Sequence, residues 1–432
     1  MKKNASAIVH CRIAMAIFLF FFLTADEVSA QFVRGADIGW LQQMEATGYK
    51  FYDSTGTQKD CMLILKEHGI NTVRLRVWVN PSTDKINGHC SKKEVAAMAL
   101  RAKNMGMRVL IDFHYSDSWA DPSKQNKPAA WASHSFSQLL TDLYNHTFEV
   151  IDTLKSIGAK PDWVQIGNEI PGGMLWPDGS TSNWTQLAQL LNKGCDATKA
   201  VDSTIKVIIH LDEGNNNLKF RYFFDNATSK GVRYDIIGAS YYPYWLGTDY
   251  TVTINALGGN LNDMVSRYNK DVMVVEVGGD YTKVQNTYNM LTAVIDKVIA
   301  VPNSRGLGVI YWEPEGEKSW SGYQLSCWGS DGKPTAALKA FLYKMTGVSY
   351  VEPPKEIFIY PNPFFGGFLN VDLNGLKGTS ILRIFDGNGK LMKELTLKDQ
   401  PKTSLDLKLH PGMYMVDVTN NGREISGKLL VN

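Results

Sequence analysis

Two short stretches of this chain place a carboxylate where an apolar run would otherwise continue. Asn168-Glu169 closes the run from Trp163, and Glu276 lies inside Val272-Met273-Val274-Val275-Glu276-Val277. A carboxylate in such a setting is costly unless it is paired or functional. Two carboxylates brought together suit glycoside hydrolysis, in which one protonates the leaving oxygen and the other attacks the anomeric carbon. The competing reading is a pair of unrelated buried salt bridges. Arg74 and Arg76 share one face of their run, against Val73, Leu75 and Val77 on the other. An arginine beside a carboxylate nucleophile keeps it ionised and oriented. Asp112 and His114 share a face in the same way, although His114 taken alone reads first as a hydrogen-bonded structural residue. Asp37, Tyr241-Tyr242 and Trp312 close further runs.

These groups need elements to position them, and the pattern supplies eight strand candidates. They are Val33 to Ile38, Thr72 to Trp78, Arg108 to Tyr115, Trp163 to Glu169, Lys206 to Leu211, Asp235 to Tyr242, Val272 to Val277 and Gly308 to Trp312. Helix spacing separates them, as in Lys92 to Asn104, Phe136 to Ser156, Thr185 to Ala200 and Val284 to Ile299, and Thr335 to Tyr343 predicts a closing helix after Pro334. Strands alternating with helices predict a parallel sheet, and a count of eight favours an α/β fold closed into a (β/α)₈ TIM barrel. An open doubly wound sheet is the alternative. It would carry a glycine-rich phosphate turn after the first strand, and Gly35-Ala36-Asp37-Ile38-Gly39 is not one. A barrel gathers its active site at the C-terminal strand ends. Every end but the fifth clearly offers a polar or aromatic group, which fits an open cleft for a polymer.

The chain of 432 residues suits a barrel with a small appendage. Its net charge of +2 points to neither nucleic acid nor an anionic membrane. Several of its 11 tryptophans, Trp119 and Trp176 among them, sit in polar, loop-like contexts, where they suit the flat CH faces of sugar rings. Residues 1–30 read as a signal peptide, with Lys2 and Lys3, an apolar stretch from Ile13 to Leu23, and a small-residue cleavage site at Val28-Ser29-Ala30. The catalytic domain is then 31–346, and Val351-Glu352-Pro353-Pro354-Lys355 marks a linker over 347–356. Residues 357–432 show short alternating runs divided by turns such as Asp386-Gly387-Asn388-Gly389, which predicts a small all-β sandwich. Export permits disulfides. Cys61 and Cys90 begin consecutive helical units and form the expected pair, while Cys61 and Cys195 also read as small buried hydrophobes. No cysteine–histidine cluster has zinc-ligand spacing.

From about Gly35 to Phe341 the chain resembles the endo-β-1,4-galactanases of glycoside hydrolase family 53, retaining barrel enzymes with catalytic glutamates on strands four and seven. The resemblance rests on Gly35-Ala36-Asp37-Ile38, Tyr52-Asp53-Ser54, the block Asn71 to Pro81 that contains Arg74-Leu75-Arg76-Val77-Trp78, and Asp112-Phe113-His114-Tyr115-Ser116-Asp117. It continues through Trp119-Ala120-Asp121-Pro122, Lys124-Gln125, Gln165-Ile166-Gly167-Asn168-Glu169-Ile170, Leu175-Trp176-Pro177-Asp178-Gly179, Ser240-Tyr241-Tyr242-Pro243 and Tyr311-Trp312-Glu313-Pro314. It implies Glu169 as acid/base and Glu276 as nucleophile. It also implies Arg74, Asn168 and Tyr242 around the nucleophile, Trp312 beneath a sugar, and Asp37, Arg76, His114, Asp117, Trp119 and Trp176 as further substrate-binding residues. One departure stands out. Where the family often has an aromatic element such as Tyr-Pro after the nucleophile, this chain has Val277-Gly278-Gly279-Asp280-Tyr281, which leaves that loop bare. Some bacterial members bind calcium between late loops. No ligand set matches here, so no cofactor is expected and calcium is not assigned.

The C-terminal sandwich resembles the sorting domain of type IX secretion substrates, through Tyr360-Pro361-Asn362-Pro363, Pro411-Gly412-Met413-Tyr414 and the basic end Gly427-Lys428-Leu429-Leu430. A carbohydrate-binding module is the alternative, but the domain has no tryptophan. The expectation is a secreted or cell-surface, monomeric hydrolase of β-1,4-galactan, a side chain of pectin, with the type IX machinery as partner. The alternatives are the same chemistry on mannan or cellulose, or a non-catalytic glycan-binding protein.

Overall fold

The computed structural model describes residues 31–343 and 357–432, without 374–375, 377, 401 and 421–422. The expected signal peptide and linker lie outside the described residues. Eight parallel strands close into a barrel in sequential order: β1 (Val33–Asp37), β2 (Thr72–Val77), β3 (Arg108–Phe113), β4 (Trp163–Ile166), β5 (Lys206–Leu211), β6 (Ile236–Tyr241), β7 (Asp271–Val277) and β8 (Gly306–Trp312). Helices cover the outer face of these strands, so both strand faces are buried and the β-branched runs are explained. Val33, Leu110, Trp163, Ile208, Ile236, Met273, Val275 and Ile310 pack together inside the barrel.

Local chemistry sets the helix boundaries. Ser91 caps Lys92–Asn104 in a reciprocal box with Glu94, and Ser135 caps Phe136–Ser156. The helices at Lys92–Asn104, Phe136–Ser156 and Val284–Ile299 match the sequence expectation. The closing helix differs, because Ala336–Leu342 winds as a 3₁₀ helix. Its apolar positions explain this. With three residues per turn, Ala337 and Ala340 line up beside Leu338 and Phe341, and all four are buried.

The expected Cys61–Cys90 disulfide is absent: Cys61, Cys90, Cys195 and Cys327 are all free and buried. Cys61 opens the helix Cys61–Glu67 within the core, whereas the Cys90 thiol donates to the Gly39 carbonyl at 3.5 Å. Among the described residues no helix is long and apolar enough to cross a membrane.

Residues 357–432 form two antiparallel sheets. One orders β9 (Phe358–Tyr360), β10 (Gly367–Asp372) and β13 (Lys402–Leu407). The other orders β12 (Leu391–Lys398), β11 (Thr379–Phe385), β14 (Gly412–Asn420) and β15 (Arg423–Val431). Leu369, Val371 and Leu405 from the first sheet share a core with Leu382, Ile384, Val416 and Val418 from the second. This is the expected sandwich.

Candidate active site

The barrel interior continues upward in steps of two residues, as strand geometry requires. Above Val33, Leu110, Trp163, Ile208, Ile236 and Ile310 come Asp37, Asp112, Gln165, His210, Ser240 and Trp312, and Arg74 and Glu276 complete a layer with one group from each strand. The fifth strand therefore does contribute, against the sequence expectation. His210 is fully buried there, in step with Ile208.

Arg74 organises this layer. Its Nη1 lies 2.6 Å from Asp37 Oδ2 and 2.9 Å from Glu276 Oε1. Its Nη2 lies 2.9 Å from Asp112 Oδ2 and donates to Asn168 Oδ1 at 2.8 Å. Tyr242 donates its hydroxyl to Glu276 Oε2 at 3.1 Å, so both oxygens of Glu276 are held. Burial pushes Glu276 up to about 7, against the opposing pull of Arg74 and Tyr242. Arg74 thus limits the rise without returning Glu276 to the ordinary carboxylate range.

Glu169 follows β4 with φ of 43°, a left-handed conformation that a side chain adopts at some cost. Its Oε1 accepts from the Ser240 hydroxyl at 2.5 Å. Burial first, and the neighbouring Glu276 second, raise Glu169 well above the usual carboxylate range. Two carboxyl groups with different partners thus have different proton affinities, the condition for dividing acid and nucleophile roles between them.

The other sequence candidates fall into two groups. His114 Nδ1 accepts from the Ala120 amide at 3.0 Å, which leaves the proton on Nε2 for Asp112 Oδ2 at 2.9 Å. His114 therefore stands as a hydrogen-bonded support for Asp112. Asn168 anchors its side chain through Nδ2 to the Ala120 carbonyl at 2.9 Å. Asp117 gives one oxygen to the Asn80 amide and the other to the Ala129 amide, at 2.9 and 2.8 Å, and so clips two loops together.

The second group is aromatic. Arg76 pairs with buried Glu313 and lies 4.4 Å from the Trp119 ring centroid. Trp119, Trp40, Tyr323 and half-buried Trp312 form one cluster, with centroids of Trp312 at 5.2 Å from Trp40 and 4.7 Å from Tyr323. Trp176 stands apart from that cluster. Its amide donates to the Gln125 carbonyl at 2.8 Å, and Gln125 Nε2 donates to the carbonyls of Asn168 and Glu169 at 2.8 and 3.1 Å. The Trp176 loop is therefore tied to the backbone that carries Glu169.

Sequence reasoning missed Gln165, His210, Ser240, Glu313 and Tyr323 as site residues. The first three were accessible from strand alternation. Tyr323 was not, because it reaches the site from the segment after β8. It also corrects the expectation of a bare loop after the nucleophile. A Cβ on Gly278 would stand 2.9 Å from the Tyr323 hydroxyl and 3.1 Å from the Tyr242 ring, so glycine makes room for aromatic groups supplied from elsewhere. Among the described residues no group of three or more His, Cys, Asp or Glu side chains is arranged to hold a metal ion.

Barrel and site together define a glycoside hydrolase, since paired carboxyl groups of unequal proton affinity at the mouth of a (β/α)₈ barrel suit that chemistry. Residues 33–341 match the family model for glycosyl hydrolase family 53, and residues 358–432 match that of the secretion system C-terminal sorting domain. A probable arabinogalactan endo-beta-1,4-galactanase A from Neosartorya fischeri is 36% identical, over 68% of this chain and 88% of its own length. An endo-beta-1,4-galactanase of Bacillus subtilis is 33% identical, over 68% of this chain and 72% of its own. Among solved structures, the GH53 catalytic domain of Ignisphaera aggregans has 33% identity and a TM-score of 0.68, and covers 72% of this chain and 96% of that one. The chain belongs to glycosyl hydrolase family 53. Its sorting domain marks it as secreted or cell-surface.

Proposed function

We propose that this protein is a retaining endo-β-1,4-galactanase, with Glu276 as nucleophile and Glu169 as acid/base. The observation that carries the assignment of roles is the contrast between the two carboxyl groups. Glu276 is gripped at both oxygens by Arg74 and Tyr242, whereas Glu169 has one oxygen on Ser240 and a raised proton affinity. Ionised Glu276 attacks the anomeric carbon while Glu169 delivers its proton to the glycosidic oxygen, and the carbon–oxygen bond breaks. A glycosyl ester on Glu276 results. Glu169, now a carboxylate, takes a proton from water as that water displaces Glu276, which restores both groups and retains the anomeric configuration.

Galactan as substrate is supported by the names of the relatives above. Half-buried Trp312, Trp119 and Trp176 supply apolar faces for sugar rings, and Asp37, Arg74, Arg76, His114, Asp117, Asn168 and Tyr242 shape or support the polar part of the site. Residues 31–346 act as the catalytic domain, and 357–432 address the protein to the type IX secretion machinery. The enzyme works as a monomer and without a cofactor. Reducing-end release from purified galactan, mannan and cellulose tests the substrate. Faster release from mannan or cellulose than from galactan would overturn it and leave the mechanism standing.

A further inference from the structure

Behind Glu169 lies a closed circuit of hydrogen bonds that begins and ends on that residue. The Glu169 amide donates to His210 Nδ1 at 3.3 Å. His210 Nε2 lies 2.8 Å from Ser240 Oγ, and Ser240 Oγ lies 2.5 Å from Glu169 Oε1. His210 is fully buried, and burial together with nearby Arg74 keeps it neutral, so it carries one proton. The direction of the circuit depends on which nitrogen holds that proton.

Two partners compete for Nδ1. Asn168 Oδ1 lies 3.1 Å away and would accept an Nδ1 proton. That oxygen already receives the charged Arg74 Nη2 at 2.8 Å, and it also lies 3.2 Å from Gln165 Nε2, whose two hydrogens have Asp112 Oδ1 and the Gly167 carbonyl as nearer acceptors. The Glu169 amide, in contrast, has only a donor to offer and requires a lone pair on Nδ1. The proton therefore belongs on Nε2, from which it is donated to Ser240. Ser240 must then turn its own hydrogen to Glu169 Oε1.

We propose that His210 and Ser240 are positioning residues that hold Glu169 Oε1 as a hydrogen-bond acceptor and so keep the catalytic proton on Oε2. This rests on Glu169 being the acid/base. Among the described residues Oε2 makes no hydrogen bond, and it is the oxygen left to the substrate. No proton travels through the circuit. Glu169 gives its Oε2 proton to the leaving oxygen, while His210 keeps its proton on Nε2 and Ser240 keeps its own on Oγ. The Ser240 bond then strengthens as Glu169 becomes a carboxylate, because hydrogen bonds to ionised acceptors are the stronger ones. With the opposite tautomer, Ser240 would donate to His210. The short Ser240–Glu169 contact would then hold the Glu169 proton on Oε1, turned away from the bond to be cleaved.

The test compares kcat/KM on 2,4-dinitrophenyl and phenyl β-galactobiosides, of which only the second needs much protonation. Glu169→Ala should lose far more activity on the phenyl substrate, by a factor of about 100 or more. Ser240→Ala should show the same preference in smaller measure, about ten-fold. Its basic pH limb should also move to higher pH, since Ser240 stabilises ionised Glu169. Glu276, Asp212, Arg74, Tyr242 and Tyr323 also face Glu169, and this substitution leaves them in place. Ser240→Thr should restore both properties. His210→Gln, with an amide N–H near the former Nε2–H, should recover more of the selectivity than His210→Leu. Equal losses on the two substrates in folded Ser240→Ala, or an unmoved basic limb, would overturn this positioning role. Equal losses in Glu169→Ala would remove the acid/base assignment and the positioning role with it.

Discussion

Ser240 on β6 stands in register with Glu276 on β7, although the pair before them is Ala239 with Val274. The extra residue is Val275, whose side chain stays in the barrel interior with Met273. Strict alternation would then send Glu276 outward to the helices. The bulge instead turns two consecutive side chains inward and brings Glu276 to Arg74 and Tyr242. Bulges of this kind re-aim a side chain, and here the re-aimed group is the proposed nucleophile.

The two glutamates should therefore fail differently. Glu276→Ala should lose essentially all turnover, and azide should occupy the vacated space and give a product of inverted configuration. Glu169→Ala should keep activity on substrates with good leaving groups, with azide giving net retention. NMR of the first-formed wild-type product should show the β-anomer. An α-anomer, or the two azide outcomes exchanged, would reverse or remove the assigned roles.

The pH profile follows from the two raised carboxyl groups. Activity requires Glu276 ionised, so kcat/KM should climb as pH rises through about 7, where burial places that group. It requires Glu169 protonated, so it should fall at higher pH, where that carboxyl finally ionises. Tyr242→Phe removes a hydrogen bond that favours ionised Glu276. The acid limb should move upward by about one pH unit. A limb that stays in place would show that Glu276 does not set it.

Arg76 and Glu313 form a buried pair, each almost wholly shielded from solvent. Glu313→Gln leaves the Arg76 charge with the more distant Asp37 Oδ1, at 3.6 Å. Loss of one partner from such a pair costs about 3–5 kcal/mol. Urea unfolding should report a loss of that size, and a loss below about 1 kcal/mol would mean that Asp37 compensates.

The barrel and the sandwich have separate cores. A chain ending near Val351 should thus fold and hydrolyse galactan at close to the full-length rate. In the native host the same truncation should remain inside the cell. Normal export of the truncated enzyme would contradict the sorting role, and an unfolded product would contradict the domain division.

Much of this site was legible along single strands. The period of two put Asp37, Arg74, Asp112 and Trp312 at inward positions near strand ends, and the cost of burying charge singled out Glu169 and Glu276. The same period also pointed to His210, two residues beyond Ile208, but an isolated histidine after three apolar residues gives no sign of its partner. Helix limits were readable because caps such as Ser91 with Glu94 are local.

What only the tertiary structure decided depends on how separate segments meet. The inward turn of Glu276 comes from a mismatch between β6 and β7, which neither strand contains alone. Tyr323 fills the space over Gly278 from a segment far along the chain, and the circuit through His210 and Ser240 joins three strand ends around Glu169. The free cysteines follow the same logic, because Cys61 and Cys90 begin successive helical units yet pack against different partners. A sequence specifies which face a residue takes on its own strand. Register between strands, and the reach of side chains across the barrel mouth, are set only when all eight strands close on one another.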